Sequence, residues 1–344
     1  MATHKQAVDG TLKPIVWALD PFIEDRSLIR HAGQTLRRLT EHTGAPIEPV
    51  YVLSPDELNL YADRMEDYLD LYRSTAVRVV DGTVKRLRLP NLVPSKVLLQ
   101  RETNTKACVK TLVNHAEEAG AEMIVVSTHG RKGISRAIMG SFSETLLLST
   151  KIPVFSINPN THAPRKLGKV LFPSNLNASA LPVFLRAVAM AKDLRADLTL
   201  YYRINPFVEP LLSTSIEMIG GTWATARLYH EQELERARQT AAEWAVMARA
   251  SDVNCEIRVE ESRLTIGDAI LGLIKREKFD LVAMASESEL LASVLLGSVC
   301  RQVLRQAPCP VWLLHAKRDS EADDQDRRGR EPEAIPPGLE DLAV

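Results

Sequence analysis

Apolar positions along the chain follow two different periods. Short runs rich in Val, Ile and Leu are typical of parallel strands buried on both faces. Between them lie longer segments in which apolar residues recur every three or four positions, the period of an amphipathic helix. This alternation predicts an α/β fold with a doubly wound, Rossmann-like parallel sheet. In the first half of the chain the predicted strands are residues 15–19, 47–53, 96–99, 123–126 and 154–157.

The second half of the chain repeats the pattern of the first half. Gly140 recurs as Gly297 and Pro153 recurs as Pro310, with the same offset in both cases (297 − 140 = 157 and 310 − 153 = 157). The repeat predicts two tandem five-stranded domains. Their bounds, and those of a charged tail that we expect to be disordered, are 1–160, 166–316 and 317–344.

A polar, glycine-bearing segment follows the fourth predicted strand. It contains Gly130 and Gly140, and Ser141 stands at the start of the next predicted helix. A helix N-terminus offers unpaired N–H groups and a positive dipole end to an anion, and glycines let a phosphate approach the backbone. The same residues also fit a plain turn in which Ser141 only caps the helix. Asp20 follows the first strand, at the sheet edge where ligands of open α/β sheets bind.

Composition excludes several classes of function. The 344-residue chain is 45% hydrophobic and has a formal net charge of −1, so it has no general affinity for nucleic acid or for an anionic membrane. Its four cysteines lack CxxC spacing and its eight histidines are scattered, which gives no sign of a metal site or a disulfide framework. Because the start does not resemble a signal peptide and no apolar run could span a bilayer, we expect a cytoplasmic protein.

Motifs of common enzyme classes are missing from the sequence. It contains no GxxxxGK[ST], GxGxxG, HExxH or GxSxG pattern. We therefore expect a binding protein rather than an enzyme. Slow hydrolysis of a bound phosphoanhydride stays open, with Asp20 or His129 as the bases that the sequence offers near a phosphate.

The segment after the fourth strand resembles the universal stress protein family. The ATP-binding branch of that family carries Gly, two residues, Gly, nine residues, and then Gly followed by Ser or Thr. This chain has Ser127 at the first of these positions and keeps the other three, followed by the typical closing Pro-Val strand. The resemblance covers residues 13–315 and implies an ATP site in the first half. By resemblance, Asp20 would lie near the adenosine, Val52 and Val126 would border the adenine, and Gly130, Gly140 and Ser141, with Ser127 beside them, would hold the phosphates.

The second half departs further from this pattern. The sequence alignment places Ser174 at the position of Asp20, Ala285 at the first glycine and Ser288 at the second, with Glu287 adding a negative charge. We therefore expect this half to be a structural partner with a degenerate site. In this family two domains commonly pair through their last strands, so residues 154–157 and 311–314 are predicted to join the halves into an internal pseudo-dimer. A homodimer of such chains stays open.

The sequence leaves two alternative functions open. The first is a stress-response module that binds ATP, or another adenine nucleotide, in its N-terminal half. The second is a nucleotide-independent scaffold or chaperone-like protein that has lost the site. Asp20, Gly130 and Gly140 favour the first function, whereas Ser127 and the degenerate second half favour the second.

Overall fold

Strands and helices alternate along the chain as the hydrophobic pattern predicts. The computed structural model describes residues 12–23, 25–55, 65–128, 141–207, 220–286 and 297–315. The elements of the first half are β1 (Ile15–Ala18), α1 (Arg26–Thr43), β2 (Ile47–Leu53), α2 (Met65–Lys85), β3 (Lys96–Leu99), α3 (Thr105–Glu118), β4 (Met123–Ser127), α4 (Ser141–Ser149) and β5 (Val154–Ile157). Those of the second half are β6 (Lys169–Pro173), α5 (Leu181–Leu194), β7 (Asp197–Ile204), α6 (Gly220–Ala250), β8 (Cys255–Glu261), α7 (Ile266–Glu277), β9 (Leu281–Ser286), α8 (Ser298–Gln306) and β10 (Val311–His315).

The strands of both halves form one sheet in the described part of the chain. Its ten strands lie in the order β3-β2-β1-β4-β5-β10-β9-β6-β7-β8, so each half contributes five. Pairing is parallel within each half and antiparallel where β5 meets β10, with Val311 opposite Ser156 and Leu313 opposite Val154. The predicted pseudo-dimer through the last strands is thus confirmed. The pairing removes two sheet edges that would otherwise be open to other chains.

Helices cover both faces of the sheet and enclose two apolar layers. Buried residues of α1, α2, α5 and α6, such as Leu36 and Val188, pack with one face of the sheet. Buried residues of α3, α4, α7 and α8, such as Leu112 and Leu304, pack with the other face. Both layers run through both halves, because the sheet between them is continuous. The predicted doubly wound α/β fold is confirmed.

Local sequence determines where α1 begins and ends beside the first strand. Asp25 caps its N-terminus, because the carboxylate accepts the backbone N–H of Ser27 at 2.9 Å. Gly44 ends it with a φ of 72°, a conformation that suits glycine, and donates its N–H to the carbonyl of Thr40. The buried face of α1 has the apolar spacing of an amphipathic helix. It includes Leu28, Ile29, Ala32, Leu36 and Leu39.

Candidate functional site

A cavity of about 180 Å³ lies at the carboxyl ends of β1, β2 and β4. This is the edge at which open parallel sheets bind ligands. Apolar side chains form most of the wall, and a few hydroxyl, thiol and carboxylate groups lie among them. Its apolar lining includes Trp17, Leu19, Ile23, Val50, Tyr51, Val52, Val126 and Phe142. Its polar lining includes Asp20, Ser54, Thr105, Cys108, Ser127, Ser141 and Ser143. Such a mixture is typical of a small-molecule site.

Five of the residues predicted to bind nucleotide line this cavity together. They are Asp20, Val52, Val126, Ser127 and Ser141. They come from four different elements or their ends, so the fold brings together positions that are up to 121 residues apart in sequence (141 − 20 = 121). The two predicted glycines, Gly130 and Gly140, lie outside the described residues.

Asp20 is held in a fixed orientation by the turn that follows β1. Its carboxylate oxygen Oδ1 accepts the backbone N–H of Phe22 at 2.9 Å. An Asx turn of this kind fixes the loop with the aspartate's own side chain. One edge of the carboxylate is thereby engaged while the residue still lines the cavity.

Ser127 replaces the first glycine of the family pattern without backbone strain. It is the last residue of β4 and pairs with Ile157 of the neighbouring strand. It is absent from the described non-glycine residues with positive φ, so a Cβ is tolerated there. Its carbonyl accepts the hydroxyl of Ser143 at 3.4 Å, which ties α4 to the end of β4.

The sequence interpretation missed the contribution of α3 to the cavity. Thr105 and Cys108 lie in its first turn and line the wall. Asn104 caps this helix, its side chain accepting the backbone N–H of Ala107 at 2.7 Å. The signal was present in the sequence, because a helix that starts with an Asn cap just after a parallel strand begins at the carboxyl edge. Cys108 is partly exposed, whereas Cys255, Cys300 and Cys309 are buried.

Hydrogen bonds between strands give a structural alignment of the two halves. The N–H of Leu19 donates to the carbonyl of Val50, and the N–H of Ser174 donates to the carbonyl of Tyr201, both at 2.9 Å. Ser174 therefore matches Leu19, and the next residue, Asn175, matches Asp20. The sequence alignment that put Ser174 at the position of Asp20 is wrong by one residue, because residue identities alone do not fix strand register.

Asn175 preserves the turn made by Asp20 but not its charge. Its side-chain oxygen accepts the N–H of Asn177 at 3.1 Å, just as Asp20 accepts that of Phe22. The amide keeps the fold of the loop and removes the carboxylate. The prediction that the second half lacks this carboxylate is therefore correct, but the equivalent residue is Asn175 and not Ser174.

Two large side chains stand in the second half where valines line the cavity of the first. The same alignment matches Val50 with Tyr201 and Val52 with Arg203. Tyr201 is 1% exposed, and its hydroxyl donates to Glu260 at 3.3 Å. Burial, with Glu260 beside it, raises the pKa of Tyr201. Arg203 donates to the backbone carbonyls of Ser262 and Leu264. A ring and a guanidinium thus occupy cleft positions that are small and apolar in the first half.

A matching contact supports this alignment on the other side of the cleft. Cys300 donates its thiol to the carbonyl of Ala285 at 3.5 Å, as Ser143 donates to Ser127. Ala285 therefore takes the place of Ser127, as the sequence predicts. The predicted substitutions Glu287 and Ser288 lie outside the described residues.

The described residues also bear on metal binding and on membrane insertion. They contain no group of three or more His, Cys, Asp or Glu side chains arranged to hold a metal ion. None of their helices combines the length and apolar character needed to cross a membrane.

The fold and the cavity define a tandem α/β protein with a ligand-sized cleft in its first half. The universal stress protein family model matches residues 11–157 and again residues 166–315, so the chain belongs to this family. A universal stress protein of Methanocaldococcus jannaschii is 25% identical to it over 149 residues, which is 42% of this chain and 81% of that protein.

Solved structures resemble the whole tandem arrangement. A universal stress protein from Archaeoglobus fulgidus has a TM-score of 0.60 at 15% identity and covers 90% of this chain and 99% of its own. A functionally unknown protein from Pseudomonas aeruginosa has a TM-score of 0.58 at 12% identity, with coverages of 93% and 98%. These similarities concern the fold.

Proposed function

We propose that this universal stress protein binds an adenine nucleotide, ATP in the first instance, in its N-terminal half. The observation that carries the proposal is the cavity at the carboxyl ends of β1, β2 and β4, where Asp20, Val52, Val126, Ser127 and Ser141 meet. An apolar wall with a few polar groups at one end suits a base joined to a polar sugar phosphate.

Four residues of the cavity have chemical tasks in this proposal. Val52 and Val126 offer apolar surface to the adenine, and the carboxylate of Asp20 accepts hydrogen bonds from ribose hydroxyls. Ser141, the first residue of α4, lies where helix N–H groups and the dipole favour a phosphate. The charge of Asp20 would repel a phosphate, which is why we assign it to the sugar.

The role that follows is binding rather than catalysis. Nothing in the sequence motifs supplies a reaction class, so we infer that the nucleotide acts as a signal or a structural ligand in a stress response. The second half then serves as a support that lends its sheet to the first half.

Calorimetric titration of the full chain with ATP tests this function. We expect one site per chain. Asp20→Asn, which puts the second half's own residue into the first half while keeping the turn, should weaken binding about tenfold through loss of charge-assisted hydrogen bonds. Asn175→Asp is the matched control and should leave the affinity unchanged.

The alternative function is a nucleotide-independent scaffold. The second half favours it, because Tyr201 and Arg203 stand there at positions where valines line the cavity of the first half, while the fold is the same. If titration with ATP, ADP or cAMP gives no calorimetric heat and does not raise the melting temperature, the scaffold function replaces nucleotide binding.

A further inference from the structure

An open surface groove, with a volume of about 380 Å³, lies between α2 and the start of α1 and is rich in arginine. Arg78 and Arg86 reach it from α2, and Arg26 reaches it from the first residue of α1. Thr75 and Gly82 of α2 also line it. We call these five residues the basic groove. The described residues that line it include no carboxylate.

The three guanidinium groups of the basic groove lack acidic partners among the described residues. Arg26 donates to the backbone carbonyl of Pro21 at 2.9 Å, and Arg78 donates to the hydroxyl of Thr75 at 3.3 Å. Each therefore keeps its full charge and most of its five N–H donors. All three residues are exposed, so they are open to a ligand from solvent.

Helix α6, the long helix of the second half, shows the usual arrangement of surface arginines. Arg227 pairs with Glu231 at 3.0 Å, and Arg238 pairs with Glu235 at 4.0 Å. Such pairs one turn apart neutralise each other on the helix surface. Among the described residues no carboxylate forms an ion pair with Arg78 or Arg86, although Asp81 lies one turn from Arg78, so these arginines of the basic groove have no acidic partner there.

The spacing of the arginines indicates the size of the ligand. Arg78 and Arg86 are eight positions apart, which is about 12 Å along a helix. A single phosphate is too small to engage guanidinium groups spread over that length, whereas a chain of linked phosphates can contact several at once. Thr83 adds no donor, because its hydroxyl already donates to the carbonyl of Val79 at 2.8 Å. Recognition therefore falls to the guanidinium groups, which bind phosphate oxygens in a bidentate manner.

We propose that the basic groove is a second anion site, which binds a ligand carrying two or more linked phosphate groups. It shares no lining residue with the cavity at the ends of β1, β2 and β4, so it does not depend on the function proposed for that cavity. A chain with both sites would respond to two different phosphorylated ligands.

Gly82 provides a matched pair of variants for the test. A Cβ at this position meets nothing within 4 Å, and its φ is not in the left-handed region, so a larger side chain is tolerated. Replacing glycine inside a helix also favours the helix. Gly82→Glu places a negative charge in the basic groove, and Gly82→Gln places a neutral side chain of nearly the same shape there.

The experiment titrates the full chain with inorganic tripolyphosphate and, separately, with orthophosphate. We expect tripolyphosphate to bind at least about tenfold more tightly, because it can reach more than one guanidinium. Gly82→Glu should weaken tripolyphosphate binding by about tenfold or more, and Gly82→Gln should change it by less than about threefold. Alkylation of Cys108, which lines the other cavity, should proceed at the same rate with and without tripolyphosphate.

Four results would overturn the proposal. They are non-saturable binding of tripolyphosphate, equal affinity for orthophosphate, equal losses in the two Gly82 variants, and protection of Cys108 by tripolyphosphate. The last result would move the ligand to the first-half cavity, and it would do so whether or not that cavity also binds ATP.

Discussion

The two halves of the chain have the same strand order and differ at the carboxyl ends of their first two strands. In the first half, Val50 and Val52 border an open cavity with Asp20 beside it. In the second half the matching residues are Tyr201, Arg203 and Asn175. The sheet and both apolar layers are continuous through both halves all the same. Residues at the carboxyl ends of these strands thus differ between the copies, while the sheet and its apolar layers are kept.

The contact between the halves also depends on their divergence. Glu144 and Arg301 are the fourth residues of α4 and α8, so they hold equivalent positions. They form an ion pair at 3.1 Å. Two identical halves would place like charges at this point. The exchange of sign therefore favours pairing of unlike halves within one chain.

A charge at the junction of the halves is expected to have the largest effect. Val311 is fully buried opposite Ser156, so Val311→Asp should destabilise the chain by about 4 kcal/mol, since a lone carboxylate is costly to bury. Urea unfolding followed by circular dichroism should show both halves losing stability together. Val246→Asp, on a residue that is 61% exposed, is the control and should cost less than about 0.5 kcal/mol. An unchanged midpoint for Val311→Asp would contradict the joint sheet.

Converting the first-half cleft to the second-half type is expected to have the next largest effect. Val52→Arg introduces the residue that the second half has at Arg203, and it should weaken ATP binding at least about a hundredfold, or about 2.8 kcal/mol, by filling the cavity. Val52→Leu keeps an apolar wall and should retain most of the affinity. If Val52→Arg bound ATP as well as the unmodified chain, the cavity would not be the nucleotide site.

The halves also differ at a buried carboxylate on β2. Glu48 is 6% exposed and contacts Lys96 at 2.8 Å and His115 at 2.9 Å, whereas the matching residue of β7 is Thr199. Burial opposes the charge of Glu48, but the hydrogen bonds from Lys96 and His115 outweigh burial and hold its pKa below the usual 4.5.

This pKa shift gives a pH dependence of defined sign. A depressed carboxyl pKa stabilises the fold above the unfolded pKa, and the stabilisation is lost as pH falls below about 4.5. Glu48→Gln should therefore cost about 1–2 kcal/mol near pH 7 and show a smaller further loss in acid. The measurement is urea unfolding from pH 7 to pH 3, with Glu118→Gln as an exposed control. Parallel pH profiles for Glu48→Gln and the unmodified chain would refute this role.

The smallest expected effect concerns the ion pair between Glu144 and Arg301. Both side chains are 30% exposed, so a double-mutant cycle with Glu144→Gln and Arg301→Gln should give a coupling of about 0.5–1 kcal/mol. Raising the salt concentration should reduce it. Reversing one charge, with Glu144→Arg, should cost more than neutralising it. A coupling energy of zero would show that this ion pair does not stabilise the contact between the halves.

The sequence predicted the fold well because its signals are local or periodic. The apolar spacing on α1, the β-branched runs and the repeated Gly-Ser and Pro-Val pairs specify elements and duplication without long-range information. The pairing of β5 with β10 was predicted from family resemblance, and the need to cover two sheet edges agrees with it.

The rest of the candidate site depends on register and on contacts through space. Asn175 rather than Ser174 matches Asp20, because only the hydrogen bonds of the strands fix the alignment. The match of Arg203 with Val52 likewise follows only from strand register. Cys108 lines the cavity, but a lone cysteine on an amphipathic helix carries no sequence signal of a ligand site.

We propose that nucleotide binds in the cleft of the first half, and Cys108 reports on that cleft directly. Mass spectrometry can follow alkylation of each cysteine in the full chain, where Cys108 is partly exposed and the other three thiols are buried. Saturating ATP is predicted to slow alkylation of Cys108 by about tenfold or more, because thiol reactivity depends on access, and Val52→Arg should abolish that protection. An alkylation rate at Cys108 that ATP leaves unchanged, at concentrations where calorimetry shows the chain to be saturated, would contradict the claim.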